Sequence, residues 1–265
     1  MVANLRSIED ELNDALDRVS EEDFLGALPI LARVVSFAPA NAMAYELWVL
    51  CHVRVGRLER ALQLADEALA RGLASMGMHL QKSSAFLAMD RLDDAAQAAA
   101  AALAIDPESA EGLVAMAAVE RVRGDHDAAL ALFQEVVSGH PDDEAAHFEL
   151  LELAHELDRS AVVIESARSY LRKFEKDPDV LAMLGHAYTA TKDYRRAGRA
   201  FRDAAHLAPD EIDYHVNVLL LALLTGDEAA FDDYLSDLES RDAEMAERAE
   251  QAAISISGSG SGKPI

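Results

Sequence analysis

The sequence predicts an all-α fold, a solenoid of about seven helix–turn–helix repeats, from its composition and from a period of 34 residues. Hydrophobic residues make up 51% of the 265-residue chain, and much of that share is alanine, the strongest helix former. Runs rich in Val, Ile and Thr, which would indicate strands, are missing. Because three sets of residues recur in one register, we predict that each repeat consists of two helices and two short turns.

The first set suits the turn inside each repeat. Glycine adopts a positive φ without strain and aspartate tolerates it, so both favour a helix C-terminus. The column consists of Gly56, Asp90, Gly124, Asp158, Lys192 and Gly226, of which Lys192 is the exception. With this phase, the repeats are expected to begin near Ile8, Ala42, Met76, Ala110, Glu144, Pro178 and Ile212.

The second and third sets belong to the second helix of each repeat. Ala197, Phe201 and Ala204 share one helix face, and Pro209 ends that helix. The small-residue column consists of Ala27, Ala61, Ala95, Ala129, Val163, Ala197 and Phe231, and the closing prolines are Pro39, Pro107, Pro141 and Pro209. Small side chains let helices approach closely, and stacked repeats bury together the apolar faces that one repeat leaves open.

These columns resemble the tetratricopeptide repeat family over roughly residues 8–245. The resemblance rests on Trp48, Leu184, Gly185 and Tyr188 in first helices, and on Ala197, Phe201, Ala204 and Pro209 in a second helix. It implies a right-handed α-solenoid in which first helices line a concave groove and second helices form the convex side. It also implies a surface that binds another protein.

Both ends of the chain depart from the repeat. We expect an N-terminal lead at residues 1–7, the solenoid at 8–245, a polar capping helix at 246–254 and a flexible tail at 255–265. The first repeat is expected to be a degenerate cap, because its first helix is acidic and Pro29 lies within its second helix.

The formal net charge of −24 argues against a general binder of nucleic acid or of anionic membranes. No apolar run reaches membrane-spanning length, and the first residues lack the apolar stretch of a secretion signal. We therefore expect a cytoplasmic protein.

Isolated reactive side chains are expected to be packing residues. The single cysteine, Cys51, lies in an apolar helical run, which predicts a buried and inert thiol. His79, His147 and His215 share one column of the repeat, which predicts the same structural role for each.

The groove that the resemblance implies is apolar in its N-terminal half and acidic near its middle. Its candidate peptide-binding residues are Glu46, Leu50, Val53, Leu80, Ser84, Leu87, Arg121, Phe148, Glu149, Glu152, Glu156, His186, Asn217 and Leu220. Superhelical curvature could instead bury the apolar members against adjacent helices. Because Glu149, Glu152 and Glu156 would repel one another on one helix face, we expect a partner segment with apolar anchors and basic residues.

A second candidate surface is basic and would lie on the convex side. It consists of Arg168, Arg172, Lys173, Arg195, Arg199 and Arg202. These side chains would either dock an anionic partner or form surface ion pairs with Glu165, Asp203 and acids of the last repeat, and such pairs contribute little individually.

One acid–histidine cluster has metal-ligand spacing. Glu152 and His155, flanked by Glu149 and Glu156, form a Glu-x-x-His motif, but a di-metal site needs further motifs on facing helices, and none is evident. No phosphate-binding loop or hydrolase signature is present. We therefore expect an adaptor or scaffold without enzymatic activity, cofactor or metal. The alternatives are a self-associating structural subunit and, least favoured, a metal-dependent enzyme.

Overall fold

The computed structural model describes residues 7–258, and every regular element within them is an α-helix. The helices are α1 Ile8–Ser20, α2 Phe24–Phe37, α3 Ala42–Arg54, α4 Leu58–Ala70, α5 Met76–Ala88, α6 Leu92–Ile105, α7 Ala110–Arg123, α8 His126–Gly139, α9 Glu144–Glu156, α10 Ser160–Lys173, α11 Pro178–Ala190, α12 Tyr194–Leu207, α13 Ile212–Thr225, α14 Glu228–Arg241 and α15 Ala243–Gly258. The fold is an all-α solenoid of helical repeats.

The first helix of every repeat begins at the residue that the 34-residue phase gives for its start. The chain forms two compact bodies. The N-terminal body ends at His140 and contains α1–α8, and the C-terminal body begins at Pro141 and contains α9–α15.

The turn column has left-handed backbone in every repeat. Gly56, Asp90, Gly124, Asp158, Lys192 and Gly226 all have φ between 54° and 87°. Lys192 follows the column with a φ of 62° although lysine does not favour this region. Glu22, which was not predicted as a turn residue, occupies the same column in the first repeat, with a φ of 60°.

Many helix starts are fixed locally by side-chain caps. The Oδ1 atoms of Asp125, Asp143 and Asp193 each accept a hydrogen bond from the backbone N–H three residues later, at 3.0–3.1 Å. One such cap stabilises a helix by about 1 kcal/mol.

The small-residue column lies where the two helices of a repeat meet. Ala27, Ala61, Ala95 and Ala129 are fully buried in the N-terminal body, as is Ala197 in the C-terminal body. The helix pairs that contain these alanines pack closely, whereas α9/α10, with Val163 at this position, and α13/α14, with Phe231, pack less closely. Pro29 lies on the exposed side of α2, and the helix continues through it.

The C-terminus differs from the expected polar cap and tail. The last helix does not extend α14: Asp242 separates the two helices and caps α15, its Oδ1 accepting from the Met245 N–H at 2.9 Å. α15 also continues through residues 255–258, which were predicted to belong to the flexible tail.

The reason is that α15 has an apolar face. Ala246, Ala249 and Ala253 are fully buried against Val216, Leu219 and Leu220 of α13, and Ile256 packs on the same cluster. The rest of the expected tail, 259–265, and residues 1–6 of the expected lead lie outside the described residues.

Two histidines of one repeat column make the same contact. The Nε2 atom of His147 lies 3.1 Å from the carbonyl oxygen of Pro141, and that of His215 lies 2.9 Å from the carbonyl oxygen of Pro209. Both side chains are buried, so each joins a first helix to the turn that precedes it. Cys51 is also buried, and burial raises the pKa of its thiol to about 11, as expected of an inert cysteine.

Candidate functional site

The first helices of the repeats form a surface that we call the inner face. In the N-terminal body, α3 packs on α5 and α5 on α7, so these helices form a continuous row. The predicted apolar residues Leu50, Val53, Leu80 and Leu87 are half-buried there, and so is Arg121, while Ser84 is exposed. The apolar side chains are thus partly covered by neighbouring helices and partly accessible.

Glu46 has a structural partner on the inner face. Its carboxylate accepts a hydrogen bond from the Ser75 hydroxyl at 2.7 Å, and Ser75 is the N-cap of α5. A carboxylate at a helix N-terminus is stabilised by the helix dipole. The contact with Ser75 therefore connects α3 to α5, a structural role that was not predicted for Glu46.

The inner face of the C-terminal body contains a cavity of about 320 Å³ that crosses three first helices. Its lining residues are His155 of α9; Asp179, Ala182, Met183 and His186 of α11; Asp213, Tyr214 and Asn217 of α13; and Glu211 in the preceding turn. The rings of His155 and His186 lie 5.5 Å apart between centroids. The cavity therefore combines three carboxyl groups with two imidazoles and one amide.

Tyr214 and Asp179 form a hydrogen bond at the edge of this cavity. The Tyr214 hydroxyl donates to Oδ1 of Asp179 at 2.5 Å. Burial, followed by the hydrogen bond and charge of Asp179, raises the pKa of Tyr214 above its usual value. The hydroxyl acts as a hydrogen-bond donor that fixes the position of the carboxylate.

Asn217 has an unsatisfied acceptor beside the same cavity. Its side chain is 2% exposed, and its Oδ1 atom has no hydrogen-bond partner within residues 7–258. A buried polar atom without a partner costs about 1–3 kcal/mol. A ligand that supplied an N–H donor to this amide would remove that cost.

The acidic row predicted on α9 does not line the cavity. Glu149 and Glu152 are half-buried and Glu156 is exposed. The predicted groove residue Phe148 is half-buried and does not line the cavity either. The cavity instead receives its acids from the starts of α11 and α13. Sequence reasoning missed Asp179 and Asp213 because acids in the first turn of a helix usually serve the helix itself; their spacing of one repeat was the available signal.

Of the remaining predicted groove residues, His186 lines the cavity and Leu220 does not. Leu220 is buried against α15, so its assignment to an open groove is wrong. The repeat pattern gives α13 the same orientation as other first helices, but only the packing of α15 covers this side of it. Asn217 is buried as well, but it borders the cavity.

Comparison with known proteins assigns the chain to a family. Three family models described as Tetratricopeptide repeat match residues 48–110, 110–153 and 178–211, together more than half of the chain. The chain belongs to the tetratricopeptide repeat family. Repeats of this family are in general protein–protein interaction modules. The comparison with curated proteins found no match for this tetratricopeptide repeat sequence.

Solved structures show the same fold at low sequence identity. A pilF structure from Pseudomonas aeruginosa is similar over 78% of this chain and 94% of its own, with 13% identity and a TM-score of 0.62. The C-terminal part of a TPR repeat-containing protein from Cytophaga hutchinsonii is similar over 80% of this chain and 95% of its own, again with 13% identity and a TM-score of 0.62. YrrB, described as a TPR protein with an unusual peptide-binding site, is similar over 71% of this chain and 97% of its own, with 13% identity and a TM-score of 0.56.

The predicted basic surface of this tetratricopeptide repeat protein contains both paired and unpaired side chains. The Nζ atom of Lys173 lies 2.7 Å from an oxygen of Asp142, so Lys173 is an ion-pair partner. Arg168 and Arg172 are exposed on α10. Arg195, Arg199 and Arg202 are exposed on α12 and form no ion pair within the described part of the chain, which contradicts internal pairing with Asp203 or acids of the last repeat.

The structure does not support a metal centre at the acid–histidine cluster. Within residues 7–258, no group of three or more His, Cys, Asp or Glu side chains is arranged to hold a metal ion. The same residues contain no helix that is both long and apolar enough to span a membrane.

Proposed function

We propose that the protein is a non-enzymatic adaptor that binds a segment of a partner protein on its inner face. The cavity of the C-terminal body would receive a Lys or Arg side chain of that segment. The observation that carries this proposal is the unsatisfied Oδ1 of Asn217 beside a cavity lined by Asp179, Glu211 and Asp213.

The chemistry of the cavity suits a cation with several N–H groups. Carboxylates accept charge-assisted hydrogen bonds from ammonium or guanidinium groups, which are stronger than neutral hydrogen bonds. A concave site that carries one sign of charge also concentrates its field, which speeds the encounter with an oppositely charged ligand. The chain's charge of −24 adds to this preference for basic segments.

Apolar anchors of a partner have a counterpart in the N-terminal body. Leu50, Val53, Leu80 and Leu87 on α3 and α5 are half-buried, so each retains accessible apolar surface. Partly exposed apolar side chains in a row are typical of surfaces that bind other proteins. Peptide binding is also attributed to YrrB, which has the same fold.

A peptide-display selection against the full chain tests the proposal. We expect the selected peptides to contain Lys or Arg and to bind the variant Asp179→Asn/Asp213→Asn at least about tenfold more weakly, because two charge-assisted contacts are lost. Asparagine keeps an acceptor for Tyr214, so the fold should be retained. The affinities are measured by isothermal titration calorimetry at low and high salt, and salt should weaken wild-type binding.

The matched control is Asp232→Asn/Glu239→Gln, which removes the same charge from exposed positions of α14. It should bind the selected peptides as the wild type does at equal salt. Selected peptides without basic residues, or equal weakening by both double variants, would refute the assignment of the cavity.

A further inference from the structure

The exposed face of α12 carries a row of three arginines that have no hydrogen-bond or ion-pair partner in the part of the chain that the structure describes. Arg195, Arg199 and Arg202 follow i, i+4, i+7 spacing, so they lie one above another on the helix. None of them makes a hydrogen bond or ion pair with any residue from 7 to 258. Their neighbour Arg196 differs, because it pairs with Asp193 at 3.2 Å and lies over the Tyr188 ring.

The same three arginines border the cavity between α12, α13 and α14, which has a volume of about 620 Å³. Its opposite wall is apolar and comes from α13, where Val218, Leu221 and Ala222 are each less than a tenth exposed. Cavities of this size accommodate several side chains or a small ligand. The site thus offers a cationic edge and an apolar wall.

The cavity exists because α14 does not pack closely on α13. Phe231 of α14 occupies the column that holds Ala197 in the preceding repeat, and its ring packs into the cluster around Leu219. The larger side chain is expected to hold the helix away from α13. α14 accordingly buries only Leu238, whereas α12 buries six residues against its own first helix and neighbours.

Acids lie near the arginine row, but none forms an ion pair with it within residues 7–258. Asp233 and Asp237 border a second cavity together with Arg202. Asp227 lines the cavity, but its Oδ1 caps α14 by accepting from the Ala230 N–H at 3.0 Å. Asp237 pairs with Arg241. In a chain with a net charge of −24, three arginines are therefore left available on one helix face.

We propose that this cavity, with Arg195, Arg199 and Arg202 at its edge, docks an acidic amphipathic helix of a different protein. The argument is charge complementarity: guanidinium groups bind carboxylates through paired N–H donors. The row extends for about 10 Å along α12, the rise of seven helical residues. A docked helix with acids at the same i, i+4, i+7 spacing matches that length, and an adjacent Leu or Phe side chain would contact the apolar wall.

The site is separate from the acidic cavity of the inner face and prefers the opposite charge. It uses α12, α13 and α14, whereas the inner-face cavity uses the first helices α9, α11 and α13. The two sites would let one chain contact a basic segment and an acidic helix from different partners.

The test uses a display library of 14-residue amphipathic helical peptides with randomised polar positions, selected against the full chain. Peptides are counter-selected against the variant Arg195→Gln/Arg199→Gln/Arg202→Gln. We expect the retained peptides to carry Asp or Glu at i, i+4 and i+7. By fluorescence anisotropy they should bind this variant at least about tenfold more weakly than the wild type.

Two further variants distinguish peptide binding at the cavity from a general effect of removing positive charge. Arg54→Gln/Arg57→Gln/Arg248→Gln removes three exposed arginines elsewhere and should leave peptide binding within about twofold of the wild type. Ala230→Trp fills the cavity from α14 without changing charge and should abolish binding. Circular dichroism melting of every variant verifies that each is folded.

Any of four results would overturn the proposal. The first three are a selection that yields peptides without an acidic row, equal weakening of binding by both triple variants, and full binding by the Ala230→Trp variant. The fourth is a dimer of the chain alone in sedimentation velocity that the Arg195→Gln/Arg199→Gln/Arg202→Gln variant dissociates. Arg-dependent binding of a single-stranded oligonucleotide that exceeds peptide binding would assign the row to nucleic acid instead. The Asp179→Asn/Asp213→Asn variant should bind these acidic peptides normally, so failure here is distinct from failure of the inner-face proposal.

Discussion

The helix pairs α11/α12 and α13/α14 follow the same repeat phase, yet they pack differently. In α11/α12 the facing positions hold Gly185 and Ala197, and the Phe201 ring fits between the helices. One repeat later these positions hold Leu219 and Phe231, and α14 packs less closely on α13. Two small side chains therefore decide how closely the helices of a repeat approach, and their loss leaves a cavity that a partner could use.

The largest expected effect is the loss of the Phe201 ring. Phe201 is fully buried, so Phe201→Ala should lower the free energy of unfolding by roughly 3–5 kcal/mol. Phe231 is only partly buried, so Phe231→Ala should cost about 1 kcal/mol, the typical cost of a single substitution. Equilibrium unfolding in urea, followed by circular dichroism, measures both losses. Equal losses would contradict the difference between the two pairs.

A larger side chain at the small-residue column tests the close approach directly. Ala197→Leu should destabilise the protein by roughly 1–3 kcal/mol, because the site between α11 and α12 has no room for added atoms. Ala229 is exposed on α14, and Ala229→Leu should leave the melting temperature nearly unchanged. The comparison is measured by thermal unfolding, and similar shifts for the two variants would show that the column is not the point of contact.

Gly185→Ala should have a smaller effect. A Cβ atom at this position would lie 2.4 Å from the Phe201 ring, so the ring must move. The cost of overpacking exceeds the gain in helix propensity, which leaves a net loss of roughly 1 kcal/mol. In a Phe201→Leu background the same substitution should be nearly neutral or stabilising. A double-mutant cycle measures this coupling, and an unchanged cost would exclude the ring as its cause.

The smallest expected effect concerns the turns that precede α12 and α14. Lys192 and Gly226 occupy the same column, with φ of 62° and 68°. Lys192→Gly should stabilise the protein by roughly 0.5 kcal/mol because it relieves left-handed strain, partly offset by glycine's greater freedom in the unfolded chain. Gly226→Ala should destabilise it by about 1 kcal/mol. Thermal unfolding that shows the opposite signs would reject the left-handed geometry at this column.

Much of the fold follows from local sequence signals. Helix starts depend on capping side chains such as Asp193, and turns depend on residues that accept a positive φ, as at Gly124. The inner-face cavity of the C-terminal body could not be predicted from such local signals. Asp179 and Asp213 resemble ordinary first-turn acids, and only the stacking of three first helices brings them to one cavity with His155 and Asn217.

The sequence by itself determined the repeat period, because that period is visible in residues that recur every 34 positions. It also determined the helix starts and the left-handed turns, because these depend on residues within one or two helical turns. Tertiary structure alone decided which helix faces stay open. α15 covers Leu220. Val218 and Leu221 line a cavity, because Phe231 keeps α14 from packing closely on α13. Burial depends on the fit between side chains of separate helices, and this fit is not encoded in the spacing of residues along any one of them.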